Sequence, residues 1–142
     1  MTIYFDMDGT IANLYGVTNW LEYIKAESTK PYVQARPLVN MQRLAHRLNN
    51  LQKKGYKIGI ISWLAKQATQ EYNTKVTQAK QQWLHKHLTS VKFDEVLIVE
   101  YGTPKHLLGQ GILFDDEKLN RNSWGKGAYA PNEIFQVLAE LA

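Results

Sequence analysis

At 142 residues, 44% of them hydrophobic and 21% charged, the sequence is long and apolar enough for one buried core, and no repeat or linker divides residues 1–142. The absence of cysteine excludes a disulfide framework, a thiolate metal site and a cysteine-phosphatase mechanism, and no apolar run reaches the roughly 18 residues of a membrane span. A formal charge of +4 suits a small phosphorylated substrate but is too small and too scattered to mark a nucleic-acid surface, with Lys53-Lys54 read as a solvated helix end. A strand at the N-terminus in place of a signal peptide predicts a cytoplasmic chain with no membrane partner.

The first element is the apolar run Ile3-Tyr4-Phe5, a buried strand that delivers Asp6 and Asp8, with Gly9 and Thr10 after them. Carboxylates two residues apart on a strand share a face, and two like charges that close need a cation between them or a proton on one. That arrangement suits a hard divalent metal, a carboxylate nucleophile and a neighbouring general acid. Residues 13–36 follow as a small insertion, with a short helix over residues 17–24. Trp20, Leu21, Tyr23 and Ile24 exceed what one narrow helix face needs. They either pack on the main domain or form a small cap whose aromatics stack on a flat substrate group.

Pro37 suits the first turn of a helix over residues 38–54, with Leu38, Met41, Leu44, Ala45, Leu48 and Leu51 at inward spacing and Gly55 as its stop. Residues 56–62 form the second strand, ending in Ser62, and strand–helix–strand with short connections implies a parallel sheet with right-handed crossovers. Residues 65–77 read as loop followed by helix. A firmer helix over residues 77–88 turns Ala79, Trp83, Leu84 and Leu88 inward, with Lys80 beside that stripe. A third strand covers residues 96–99. A fourth, residues 111–116, ends in Asp115 and Asp116. The last helix, residues 131–141, buries Ile134, Val137, Leu138 and Leu141. This alternation predicts a three-layer, Rossmann-like α/β fold.

In a parallel α/β sheet, ligands bind outside the carboxyl ends of the strands. Asp6, Asp8, Ser62, Asp115 and Asp116 all fall at such ends; each alone suits a turn, but their joint appearance at three strand ends points to a site. Taken together, Asp6-Met7-Asp8-Gly9-Thr10, Ser62, Lys80 and Leu113-Phe114-Asp115-Asp116 resemble, in order and over nearly the whole chain, the four motifs of the haloacid-dehalogenase-like (HAD) phosphohydrolases. Arg36-Pro37-Leu38, Lys80-Gln81-Gln82-Trp83-Leu84, and Glu117 with Asn120 after the acid pair are most similar to the 5′(3′)-deoxyribonucleotidase-like branch. The chain differs from that branch in its reduced segment between the first two motifs, where the family carries its cap and much of its nucleoside pocket.

The resemblance implies a Mg²⁺-dependent phosphomonoesterase that works through an aspartyl-phosphate on a nucleoside monophosphate. By that resemblance Asp6 is the nucleophile and Asp8 the acid and base. Ser62 binds a phosphoryl oxygen, and Lys80 neutralises charge. Asp6, Asp8 (through its backbone carbonyl), Asp115 and Asp116 hold the metal. Gly9, Thr10, Trp63 and Trp20 are candidate substrate contacts. Lys105 competes with Lys80 for the phosphate, with Lys80 in the better-matching context. Asn120 either orients the acid pair or serves a plain turn. His46, His85, His87 and His106 show no ligand spacing. The alternatives are a phosphatase of phosphosugars or nucleic-acid ends, and a non-catalytic binding protein on the same fold.

Overall fold

A computed structural model describes all of residues 1–142. In chain order the elements are β1 (Thr2–Phe5), β2 (Ala12–Asn13), α1 (Trp20–Lys25), α2 (Lys30–Gln34), β3 (Arg36–Pro37), α3 (Met41–Lys53), β4 (Lys57–Trp63) and α4 (Gln70–His87). They continue with β5 (Glu95–Val99), β6 (Ile112–Phe114), α5 (Lys118–Trp124), β7 (Ala128–Tyr129) and α6 (Ile134–Leu141). The main sheet has the order β5-β4-β1-β6-β7, and every pairing in it is parallel. The α/β alternation read from the sequence is therefore the architecture.

Side-chain alternation along the strands separates the two faces. Ile3 and Phe5 of β1, Ile58 and Ile60 of β4, and Ile112 and Phe114 of β6 join a core with Leu44 and Leu48 of α3, Trp83 and Leu84 of α4, and Ile134 and Leu138 of α6. Their strand neighbours Tyr4, Ile61 and Leu113 point to the opposite face, under Leu108 and Trp124. Gly59 is required at its place in β4, because a Cβ there would lie 2.7 Å from the ring of Tyr4. No helix is long and apolar enough to cross a membrane.

Three local readings change. Arg36 and Pro37 do not begin a helix; they pair antiparallel with Asn13 and Ala12, and the chain bends at Leu38, whose N–H donates to the Ile11 carbonyl. The helix starts at Met41, because Asn40 accepts the Arg43 N–H at 2.9 Å and so satisfies an otherwise orphaned donor; Leu38 is left exposed. In the insertion, Asn19 adopts a left-handed conformation (φ 60°), which delays the helix to Trp20, and Pro31 opens a second helix, α2. Residues 65–77 are, as read, loop followed by helix: α4 begins at Gln70, where the Thr69 hydroxyl accepts the Tyr72 N–H, and runs on without a break to His87. The short elements α5 and β7 carry no apolar period for a sequence reading to detect.

Candidate active site

The carboxyl ends of β1, β4 and β6 meet, as the strand order requires. Asp6 remains tied to the sheet, its N–H donating to the Phe114 carbonyl at 2.9 Å. The chain then turns sharply: the Met7 carbonyl accepts N–H groups from Thr10, Ile11 and Ala12, with Gly9 at φ +84°. A Cβ at Gly9 would run into the Asp116 carboxylate. The Gly9 and Thr10 amides are consumed inside this turn, donating to the Ala12 and Met7 carbonyls. They are therefore not free to cradle a phosphate. Thr10 contributes through its side chain, with Oγ1 2.9 Å from Asp6 Oδ2 and accepting the Asp116 N–H at 3.1 Å.

Two buried lysines divide the acids between them. Lys80, on α4, donates from Nζ to Asp8 Oδ2 (2.9 Å), Ser62 Oγ (2.7 Å) and the Trp63 carbonyl (2.6 Å). Lys105, on the short turn after β5, donates to Asp6 Oδ1 (2.9 Å) and Asp115 Oδ2 (2.7 Å). Both lysines belong to the site, and Lys105, which the sequence reading placed second, is the one beside Asp6. Asp115 also accepts from the Glu117 N–H and from Asn120 Nδ2, so Asn120 holds the first acid of the pair. Asp116 instead faces the adjoining cavity.

Electrostatics follow from this crowding. Burial, reinforced by the neighbouring Asp6, raises the pKa of Asp8 against the downward pull of Lys80. Burial and Asp6 push Asp115 up to about 6. Burial, the hydrogen bond with Asp6 and its charge push Asp116 up to about 8. Burial alone would lower Lys105, but the carboxylates of Asp6 and Asp115 outweigh it and hold the lysine above its ordinary value. One carboxylate oxygen from each of Asp6, Asp115 and Asp116 lies within 4.8 Å of the others. The Asp8 side chain stands outside this group, held by Lys80.

A cavity of about 520 Å³ opens above these acids. The insertion supplies Tyr15, Trp20 and Tyr32 to its wall, and the main domain supplies Trp63, Tyr72 and Tyr101. Trp63 and Tyr101 lie with ring centroids 5.0 Å apart, and the Trp63 indole N–H donates to the Thr103 carbonyl at 2.8 Å. Tyr32 covers Lys80, whose Nζ is 5.3 Å from the ring centroid. The insertion is anchored over α4 by the Tyr72 hydroxyl donating to the Ser28 carbonyl (2.7 Å) and by Glu27 accepting from Thr69 Oγ1 (2.9 Å).

Asp6, Asp8, Thr10, Ser62, Lys80, Lys105, Asp115 and Asp116 thus converge, and Trp20 and Trp63 line the cavity beside them. Tyr15, Tyr32, Tyr72 and Tyr101 are additional lining residues that no local motif marks; the only sequence signal was the aromatic density of the insertion. His46, His85 and His106 are exposed, and His87 lies against Trp83; none touches the acids. No protein-family model and no curated protein matches this chain.

Proposed function

We propose that the chain is a divalent-metal-dependent phosphomonoesterase of the HAD type, acting on a nucleoside monophosphate, with residues 13–36 as its small cap. The observation that carries this reading is the pairing of Asp6 with Lys105 and Thr10, and of Asp8 with Lys80 and Ser62, at adjacent strand ends beneath one cavity. Three clustered carboxylates with one lysine between two of them make a hard, oxygen-only, net-negative donor set, which fits Mg²⁺. Asp6 and Asp116, with Asp115 behind them, would hold the ion. Once bound, it would offset the phosphate charge that otherwise repels an anionic nucleophile.

Asp6 is held at both carboxylate oxygens and so presents a fixed nucleophile. One of its oxygens forms a bond to phosphorus as the ester P–O bond breaks. Asp8, whose pKa is raised by burial, gives a proton to the departing alkoxide. Water then attacks the aspartyl-phosphate and loses a proton to Asp8, which releases phosphate and restores Asp6. Lys80 and Ser62 on one side and Lys105 on the other supply donors to the phosphoryl oxygens. The aromatic wall suits a flat base.

The test is phosphate release from deoxynucleoside and ribonucleoside monophosphates, phosphosugars and 5′-phosphorylated oligonucleotides, in Mg²⁺ and in EDTA, for wild type and Asp6→Asn. Metal-dependent release that Asp6→Asn abolishes, fastest on nucleoside monophosphates, is the expected result. Preference for phosphosugars or for oligonucleotide ends would replace the substrate assignment and leave the chemistry. No release from any substrate by folded, Mg²⁺-binding protein would overturn the enzymatic reading.

A further inference from the structure

On the outer side of the insertion, away from the acid-floored cavity, lies a second and more open groove of about 810 Å³. Its cations come from three separate elements: Lys30 at the start of α2, Arg36 on β3, and Lys86 near the end of α4. No acidic side chain lines it. None of the three is paired with a carboxylate; the one ion pair outside the candidate active site is Lys75 with Glu71.

Helix electrostatics account for only one of these cations. Lys86 complements the negative end of α4, but Lys30 stands at the positive end of α2, where a cation is disfavoured, and Arg36 is on a strand. Lys30 is nonetheless held in place, its Nζ donating to the Tyr23 hydroxyl at 3.1 Å and lying over that ring. Asn13 and Asn19 add side-chain amides to the groove, and neither is used to cap the helical turn that follows it.

Global charge points the same way. With Lys80, Lys105 and the four site aspartates set aside, the rest of the chain carries 15 Lys and Arg against 9 Asp and Glu, so the outer surface is more basic than the formal +4 indicates. An open trough with separated cations does not enclose a small ligand. A chain of phosphates can instead meet such cations one after another, and a flexible single strand can follow the trough. An acidic protein partner would also need apolar side chains to bury at the centre of its interface, whereas few of the residues lining this groove are hydrophobic.

We propose that this groove binds the phosphodiester backbone of a single-stranded nucleic acid, with Lys30, Arg36 and Lys86 as its phosphate contacts. The site is separate from the acid cluster and does not depend on the phosphatase reading.

The test is fluorescence anisotropy of the full chain with a 12-nucleotide oligothymidylate, labelled at its 5′ end and bearing a 3′ hydroxyl, so that no phosphomonoester is present for the other cavity. Titrations run from about 25 to 200 mM salt. Binding by wild type is expected to weaken with salt. The triple variant Lys30→Gln/Arg36→Gln/Lys86→Gln should bind at least about tenfold more weakly and lose about 2 from the log–log salt slope, at ~0.7 per single-strand phosphate contact. Lys53→Gln/Lys54→Gln/Lys57→Gln, an equal charge change at residues that do not line the groove, should retain the wild-type slope. Arg36→Gln alone serves if the triple variant melts early, with a slope loss of about 0.7. No binding by wild type, equal losses in both triple variants, or displacement by inorganic phosphate as effective per phosphate as by unlabelled oligonucleotide would each overturn the assignment.

Discussion

Replacing Lys105 with Met keeps most of the side-chain volume and removes the cation between Asp6 and Asp115. The lysine side chain is 2% exposed, and its Nζ lies 2.9 Å and 2.7 Å from the two carboxylates. A unit-charge pair at such a separation is worth ~6 kcal/mol at an effective dielectric near 20, and much of that only offsets desolvation. Breaking a buried pair from one side costs about 3–5 kcal/mol, because the abandoned charge stays buried. The carboxylates have one escape, which is to bind a proton, and Asp115, already raised to about 6, takes one readily as the pH falls from 7 to 5. The loss in stability is therefore expected at about 3–4 kcal/mol at pH 7, shrinking to about 2 kcal/mol or less at pH 5. Urea unfolding in EDTA at both pH values, with wild type measured alongside, reads this directly. A loss below about 1 kcal/mol at pH 7, or an equal loss at both pH values, would refute the reasoning that Lys105 is the counter-charge of this cluster.

Wild type itself should become more stable in EDTA as the pH falls from 8 to 6, since Asp116 and Asp115 are raised to about 8 and about 6 and the folded chain binds more protons than the unfolded one. Asp116→Asn should remove most of that slope, which urea melts at three pH values will show. Mg²⁺ should raise the melting temperature of wild type more at pH 8 than at pH 6, because protonated carboxyls make poor ligands. Gly9→Ala, at φ +84° with its new methyl directed into Asp116, should lose both stability and the Mg²⁺-induced melting shift. Tyr72→Phe removes the hydroxyl bond to the Ser28 carbonyl and should cost about 1 kcal/mol, with faster proteolysis confined to residues 13–36.

Periodicity and end chemistry determined the fold class and the acid cluster. Ile3–Phe5, residues 56–62 and residues 111–114 read as buried strands because each is a compact apolar run, and the polar residues that end them gather once parallel pairing is granted. The inward faces of α3, α4 and α6 were legible for the same reason, from apolar residues at helical spacing. Helix starts were not, since Asn40 and Thr69 act through single local hydrogen bonds that the apolar pattern does not register. Neither was the pairing of the lysines with the acids. Lys80 and Lys105 are 25 positions apart in sequence, and only the tertiary structure sends one to Asp8 and the other to Asp6. The same holds for the Gly9 amide, which looks available in the motif and is consumed by the Ala12 carbonyl in the folded turn. It holds for the tyrosines of the cavity wall and for Lys30, Arg36 and Lys86 of the outer groove. Backbone pattern is a local property, whereas a charge pairing or a shared wall depends on which distant segments the sheet and its crossovers bring within a few ångströms.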